Sequence, residues 1–325
     1  MTLTTISRRA VIAGAGAMVT AGWPGRGSAT PAFPIRIAHS RGELVLPSPP
    51  KRIVAVGYSD VAIATALGVP LVGAMRYGAG ADGHNFPWVQ PALSAEIASI
   101  PAGRVDTELL RELEPDLILA ATAYHSYADH YDKLAPIAPT LVSIRRNLRD
   151  PYAELTRLLA GLGGASPEAA DALVGKADAG IAAFAERHAR WRGRTIAYAQ
   201  VTANSFHPIV DETAQALDLF RRIGLKPVTG KAEAFDCNGS HMRPLAGLRS
   251  IGAADLALLA PIGKQASVRE LVSPLPGAVS LPVVAHGRAH LVETHLYDAL
   301  VAPNPVNIPF ILARLDTILA ATPRA

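Results

Sequence analysis

The residues able to do chemistry in this chain gather in a few short polar stretches. Cys237 and His241 stand four apart, a spacing at which an imidazole could take a thiol proton and free a nucleophile. No orienting partner and no nucleophile elbow accompanies them, so an inert thiol is the simpler account. Asp129, His130 and Asp132 are metal-ligating types, but they share one predicted helix, where a solvated face explains them as well. His84, His125, His207 and His241 occupy separate loops. The aromatic and arginine residues are more telling. Tyr58, Arg76, Tyr77, Trp88, Arg104, Tyr124 and Tyr127 fall in loops of the first half. Asn204, Phe206, His207, Phe235, Asn238, His241 and Tyr297 fall in loops of the second. Aromatics make up only 6% of the chain, so their concentration where solvation should be highest points to a binding cleft.

Each of these stretches follows a predicted strand. Arg52–Val56, Leu71–Gly73, Leu117–Ala120 and Thr140–Ile144 are short apolar runs that alternate with helical patterns ending at Leu67, Leu113 and Leu134. The second half repeats the plan with Arg194–Tyr198, a helix over Thr213–Ile223, Leu225–Val228, and late strands at Val283–Val284 and Ala289–Val292. An amphipathic helix over Pro305–Leu319 closes the chain. Met75–Pro101 reads as a loop region with a short helix near Leu93–Ile97. Such alternation predicts parallel sheets covered on both faces, with ligands at the carboxyl ends of the strands. Between the halves, Ser166-Pro167-Glu168 starts a long helix, and Gly193 stops it. Leu173, Ala177, Ile181, Phe184 and His188 mark its apolar face. At about 1.5 Å per residue it spans roughly 37 Å, enough to strut two lobes.

The first 29 residues read as a twin-arginine-type export signal: Ser7-Arg8-Arg9, an uncharged run over Ala10–Ala21, and the small residues Gly27-Ser28-Ala29. The run is too short for a confident membrane span. No cysteine lies near the cleavage site, so a lipoprotein anchor is excluded and a soluble extracytoplasmic protein is expected. The whole chain has 31 Lys+Arg against 27 Asp+Glu. The leader holds Arg8, Arg9 and Arg26 and no acid, leaving 28 against 27. That balance gives no argument for nucleic acid or an anionic membrane. Cys237 is the only cysteine, which excludes an internal disulfide and a thiolate metal cluster.

Taken together, Arg52-Ile-Val-Ala-Val56, Ala66-Leu-Gly68, Glu108-Leu-Leu, Glu114–Ala120, Leu134-Ala-Pro-Ile-Ala138, the central helix, Ile223-Gly-Leu225 and Gly287–Val292 resemble one known family over essentially everything after the leader. It is the periplasmic substrate-binding proteins of ABC importers for ferric siderophores, cobalamin and haem. The resemblance implies an α/β fold: two Rossmann-like lobes with mainly parallel sheets joined by one long α-helix, the type III periplasmic binding protein. The expected segments are leader 1–29, first lobe 30–149, linker with the long helix 150–193, and second lobe 194–325.

Within that family the first lobe is most similar to ferric hydroxamate binders. Trp88 falls where they carry a cleft tryptophan. Arg104 falls near their ligand-binding arginine, in a loop two residues shorter. Tyr124 lies as far beyond Pro115 as their ligand-binding tyrosine. Hydroxamate oxygens would accept hydrogen bonds from a guanidinium and a phenol, and the siderophore would keep its own iron, so the protein needs no cofactor or metal ligand. Glu108 matches the acid that pairs with a permease arginine. Arg243-Pro244 stands where the second lobe usually has its partner glutamate, which speaks against symmetrical docking. Tyr58, Arg76, Phe206, Phe235, His241 and Tyr297 join the site from loop position alone. The expected protein is a monomeric carrier, not an enzyme, that delivers a ferric siderophore to an ABC permease. A haem, cobalamin or ferric catecholate ligand on the same fold, or an exported enzyme using Cys237, are the alternatives. A catecholate would want Arg76, Arg104 and Arg243 to converge.

Overall fold

The central helix begins where the sequence places it. In the computed structural model, which describes residues 33–76, 86–89, 92–102, 104–123, 127, 129–145, 148–232, 234–236, 238–263 and 266–323, Ser166 Oγ accepts from the Ala169 amide at 3.1 Å and Pro167 fills the first turn. The leader therefore lies outside the described residues. The helix ends earlier than Gly193. It runs over Pro167–Arg187, and His188 leaves helical geometry with φ −105° and ψ 28° while its ring meets Asp316 Oδ1 at 2.6 Å. One 3-10 turn, Ala189–Trp191, completes the span before Gly193 turns back with φ 78°. Ala170, Val174, Ala177, Ile181 and Phe184 are its buried face, with Leu173 half-buried beside them.

Before it, β1 (Ile35–His39) and β2 (Gly42–Leu46) form an antiparallel hairpin. The first sheet follows: β3 (Ile53–Ala55), β4 (Leu71–Arg76), β5 (Ala98–Pro101), β6 (Leu117–Ala120) and β7 (Thr140–Val142), all parallel in the order β5-β4-β3-β6-β7. β5 lies inside the stretch read as loop, and no helix forms over Leu93–Ile97. Its four residues end in a proline, which an edge strand tolerates but pattern reading passes over. Helices α1 (Tyr58–Ala66), α2 (Thr107–Glu112) and α3 (Tyr131–Leu134) connect these strands. Then α4 (Tyr152–Gly163) leads into the central helix, α5.

The second sheet contains β8 (Thr195–Val201), β9 (Ser205–Pro208), β10 (Lys226–Pro227), β11 (Arg243–Pro244), β12 (Leu256–Pro261) and β13 (Ala289–Leu291). It is parallel through β10-β8-β12-β13 but takes antiparallel β9 and β11 at one edge. The remaining helices are α6 (Gln215–Arg222), α7 (Val268–Val272), α8 (Pro282–Ala285), α9 (Thr294–Val301) and α10 (Ile308–Ala321). The expected strand at Val283–Val284 is helix α8 instead. Pro282 presets its first turn, and Val283 is buried.

The architecture is α/β, two Rossmann-like lobes with mainly parallel sheets joined by one long helix. Residues 31–325 pack as one compact unit holding both sheets. One apolar core joins Val54 and Leu119 of the first sheet to Ile181 and Phe184 of α5 and to Leu258 of the second. A smaller core around Val201, Phe206, Leu248 and Val283 lies in the second half. Among the described residues, no helix is long and apolar enough to cross a membrane.

Candidate ligand-binding site

The loop after β3 shows how the sequence sets a side chain at the carboxyl edge of a sheet. Gly57 joins β3 to α1 with no room for a side chain, since a Cβ there would stand 1.9 Å from Asp60 Oδ2 and 2.6 Å from Thr122 Oγ1. Thr122, just past β6, accepts from the amides of Ser59 and Asp60 at 2.8 and 3.2 Å, and its own amide donates to Asp60 Oδ2 at 3.1 Å. Asp60 is fully buried. Desolvation pushes its pKa up to about 7 against these hydrogen bonds. This clamp between neighbouring strand ends sets Tyr58 at the start of α1.

Tyr58 stacks on Phe86 at 5.6 Å. Phe86 stacks on Trp88 at 4.4 Å with planes 13° apart, and Trp88 meets Phe310 of α10 at 5.1 Å. His295 of α9 stands edge-on to Phe86 and Trp88. Tyr58 and Tyr297 both pack on the small cluster Leu148, Val301 and Ala302. Tyr297 OH accepts from Asn238 Nδ2 at 3.3 Å, and its ring lies 6.4 Å from that of Tyr198. Aromatics far apart in the chain thus share one floor. Leu148, at its centre, is fully buried and holds φ at +55°, a left-handed conformation that a leucine adopts only at a cost.

The structure brings Tyr58, Trp88 and Tyr297 together. Trp88 is 6% exposed among Phe86, His295 and Phe310, a packed residue rather than an open cleft wall. Phe235 and His241 pair at 5.8 Å on either side of residues 236–240, the segment that carries Asn238. Arg243 Nε donates to His241 Nε2, and burial followed by this neighbouring charge lowers the His241 pKa. Phe206 is corrected: it lies in strand β9, fully buried in the second core, because the run taken for a loop pairs with β8 and β11. Tyr127 is likewise buried. Its hydroxyl donates to the carbonyls of Pro101 and Arg104 at 3.0 and 2.9 Å, and desolvation pushes its pKa up to about 12, so it holds the Arg104 segment in place.

The three arginines each have protein partners. Arg76 donates to the carbonyls of Ser94 and Ile97, Arg104 pairs with Asp106 at 2.9 Å while 73% exposed, and Arg243 engages His241. Glu108 is exposed in the first turn of α2, behind the Asp106 cap. Tyr124 and Cys237 lie outside the described residues. Among the described residues no group of three or more His, Cys, Asp or Glu could hold a metal ion. Sequence reading missed Phe86, Leu148, Arg149, His295 and Phe310. A repeated aromatic spacing, Phe86-x-Trp88, was the one available signal.

Arg149, next to Leu148, reaches the second lobe. Its buried side chain donates from Nη2 to Asp211 Oδ2 at 3.0 Å and to the Asp236 carbonyl at 3.3 Å. Burial alone would raise the Asp211 pKa. Hydrogen bonds from Thr213 and the Arg149 charge outweigh it and hold the carboxyl below its ordinary value.

A family model described as periplasmic binding protein matches residues 53–244. The fold is similar to PiaA from Streptococcus pneumoniae TIGR4 in complex with ferrichrome (19% identity, 88% of this chain and 97% of that one, TM-score 0.71). It is also similar to the FhuD protein from S. pseudintermedius (20%, 89% and 99%, 0.64) and to Staphylococcus aureus SirA complexed with staphyloferrin B (19%, 88% and 98%, 0.62).

Proposed function

The chain belongs to the periplasmic binding protein family, and on that premise we propose that it is an extracytoplasmic carrier that binds a ferric hydroxamate siderophore between its lobes and delivers it to an ABC permease. The observation that carries this reading is the shared floor of Tyr58 and Tyr297, packed together on Leu148 and backed by the buried Phe86–Trp88 stack. Such a floor suits a ligand with an apolar backbone, and the Tyr297–Asn238 pair beside it suits one that presents neutral oxygens. Ile144 and Ile262, exposed just past β7 and β12, add apolar surface at the same sheet edges. Structural relatives with ferrichrome and with staphyloferrin B favour a siderophore without choosing among them.

The charge pattern favours hydroxamate over catecholate. A highly anionic catecholate complex needs several converging bases, whereas Arg76 and Arg243 are held by separate protein groups and Arg104 alone of the three is largely exposed. Haem would need an axial tyrosine or histidine, and of the loop histidines His241 has its Nε2 engaged by Arg243 and His207 its Nε2 by Ser205. In this reading Arg104 and Tyr124 donate to the ligand, the iron stays in the siderophore, and exposed Glu108 meets a permease base. The leader exports the chain, which works as a monomer. The test is a tryptophan-fluorescence titration of residues 30–325 with a ferric trihydroxamate, a ferric catecholate and haem. Saturable quenching by the trihydroxamate alone, weakened in Arg104→Ala and Tyr124→Phe, is expected. Preference for haem replaces the ligand, and no binding to any of the three returns Cys237 to consideration as a nucleophile.

A further inference from the structure

We infer that Arg149 is a positioning residue: it comes from the segment leaving the first sheet and fixes the second-lobe turn that aims Asn238 at Tyr297. The inference rests on the binding reading above for its consequence, not for its geometry.

The turn is built from its own hydrogen bonds. The Asp236 amide donates to the Ser240 carbonyl at 2.8 Å, the Gly239 amide to the Asp236 carbonyl at 2.9 Å, and Ser240 Oγ to Asp236 Oδ2 at 3.0 Å. The Ser240 amide donates to Asn238 Oδ1 at 3.1 Å. An atom that accepts from an N–H must be the amide oxygen, so this bond fixes the flip of Asn238 and turns its Nδ2 toward Tyr297 OH. The aim of Asn238 therefore depends on where the turn sits.

Among the described residues, two of its attachments bear on that position. Strand-like bonds from the Val210 and Asp211 amides reach the Gly239 carbonyl at 3.1 and 3.2 Å. The other attachment is Arg149, whose single Nη2 spans Asp211 Oδ2 and the Asp236 carbonyl. The packing leaves no slack. Gly239 has φ +85°, and a Cβ on it would stand 2.8 Å from Ala214 Cβ, 3.1 Å from Asp211 Cβ and 3.2 Å from Arg149 Nη2. Asp211 has Thr213 as an independent donor, so the carboxylate stays partly satisfied without Arg149, whereas the Asp236 carbonyl loses this donor. The left-handed Leu148 aims Arg149 across the lobes while its own side chain packs against Tyr58 and Tyr297. One two-residue step thus sets both the floor and the second-lobe wall.

The test separates positioning from simple stability. Arg149→Met alone leaves Asp211 buried without its cation and can fail to fold. The double variant Arg149→Met/Asp211→Asn removes both charges and keeps an acceptor for Thr213. We expect it to melt close to wild type, to exchange the Gly239 and Ser240 amides at least about tenfold faster while β8 amides stay unchanged, and to bind ferrichrome at least about tenfold more weakly through faster dissociation. Arg149→Lys keeps a charge but not the planar two-acceptor reach, and should fall between the two. Unchanged Gly239 and Ser240 exchange in a stably folded double variant overturns the inference, whatever the ligand result. Faster exchange with wild-type ferrichrome affinity overturns its functional half. If wild type itself does not bind ferrichrome, the binding reading fails and the exchange measurement still decides the role of Arg149.

Discussion

Trp88 of the first lobe lies against Phe310 of the last helix, ring centroids 5.1 Å apart at 51°. Residues more than two hundred positions apart thus meet beneath the floor of the site. The chain has three tryptophans, Trp23, Trp88 and Trp191, so a protein of residues 30–325 reports through two. Trp191 is buried in the 3-10 turn after α5, outside the Tyr58–Phe86–Trp88 stack. Ligand-dependent quenching should therefore persist in Trp191→Phe and largely vanish in Trp88→Phe. Equal loss in both variants would move the ligand off this floor.

Gly57 carries a sharper structural prediction. Its φ of −100° is open to any residue, so the demand for glycine is one of space. A methyl 1.9 Å from Asp60 Oδ2 must displace the carboxylate or part β3 from β6. Gly57→Ala should cost on the order of 3 kcal/mol or more, read as a shift in the urea midpoint. A shift under about 1 kcal/mol would mean that the Asp60–Thr122 clamp is soft.

Asp60 gives the stability a pH dependence of known sign. Its folded pKa of about 7 stands above the ordinary 3.8, because burial disfavours the charge. Between those values the folded state holds the proton that the unfolded state releases. Stability therefore falls as pH rises through that window, by on the order of 4 kcal/mol in total from this group. Asp60→Asn should flatten the melting-temperature profile between pH 4 and pH 7 and raise it above pH 7 relative to wild type. An unchanged profile would assign the slope to other groups.

Much of this arrangement was legible before the coordinates. Ser166-Pro167 marked the start of the long helix because capping chemistry is local, and the strands Leu117–Ala120 and Ala289–Leu291 declared themselves as apolar runs beside turn residues. Tyr58 could be placed just past β3 by topology alone, whereas Tyr297, read as a loop residue, lies inside helix α9 because the chain turns helical at Thr294 soon after β13. Phe206 could not be placed either, since Ser205–Pro208 folds back on β8 and is covered on its other side by β11, almost forty residues later. Arg149 was silent for a related reason. A base just before Asp150-Pro151 reads as a solvated residue at a helix start, and only the tertiary fold supplies Asp211 and the Asp236 carbonyl. The left-handed Leu148 left no trace, because leucine has no preference for that region.

The last prediction concerns lobe motion. Tyr152 of α4, Asp178 of α5 and Arg222 of α6 form one polar knot. Arg222 Nη1 donates to Tyr152 OH at 2.6 Å, Arg222 Nη2 to Asp178, and Tyr152 OH to Asp178, with the guanidinium 5.2 Å from the Tyr152 ring centre. The knot ties the helix leaving the first lobe, the strut and the first helix of the second lobe. Asp178 is half exposed, so Asp178→Asn should cost no more than about 1 kcal/mol. Arg222→Met removes both hydrogen bonds and the ring contact and should cost about 1–2 kcal/mol. Because the knot and α5 resist a hinge, free and ferrichrome-loaded wild type should give superimposable small-angle scattering, whereas Arg222→Met should broaden the free-state profile. A large compaction of the wild type on loading would show that the strut bends, and the knot would then be a surface contact without mechanical consequence.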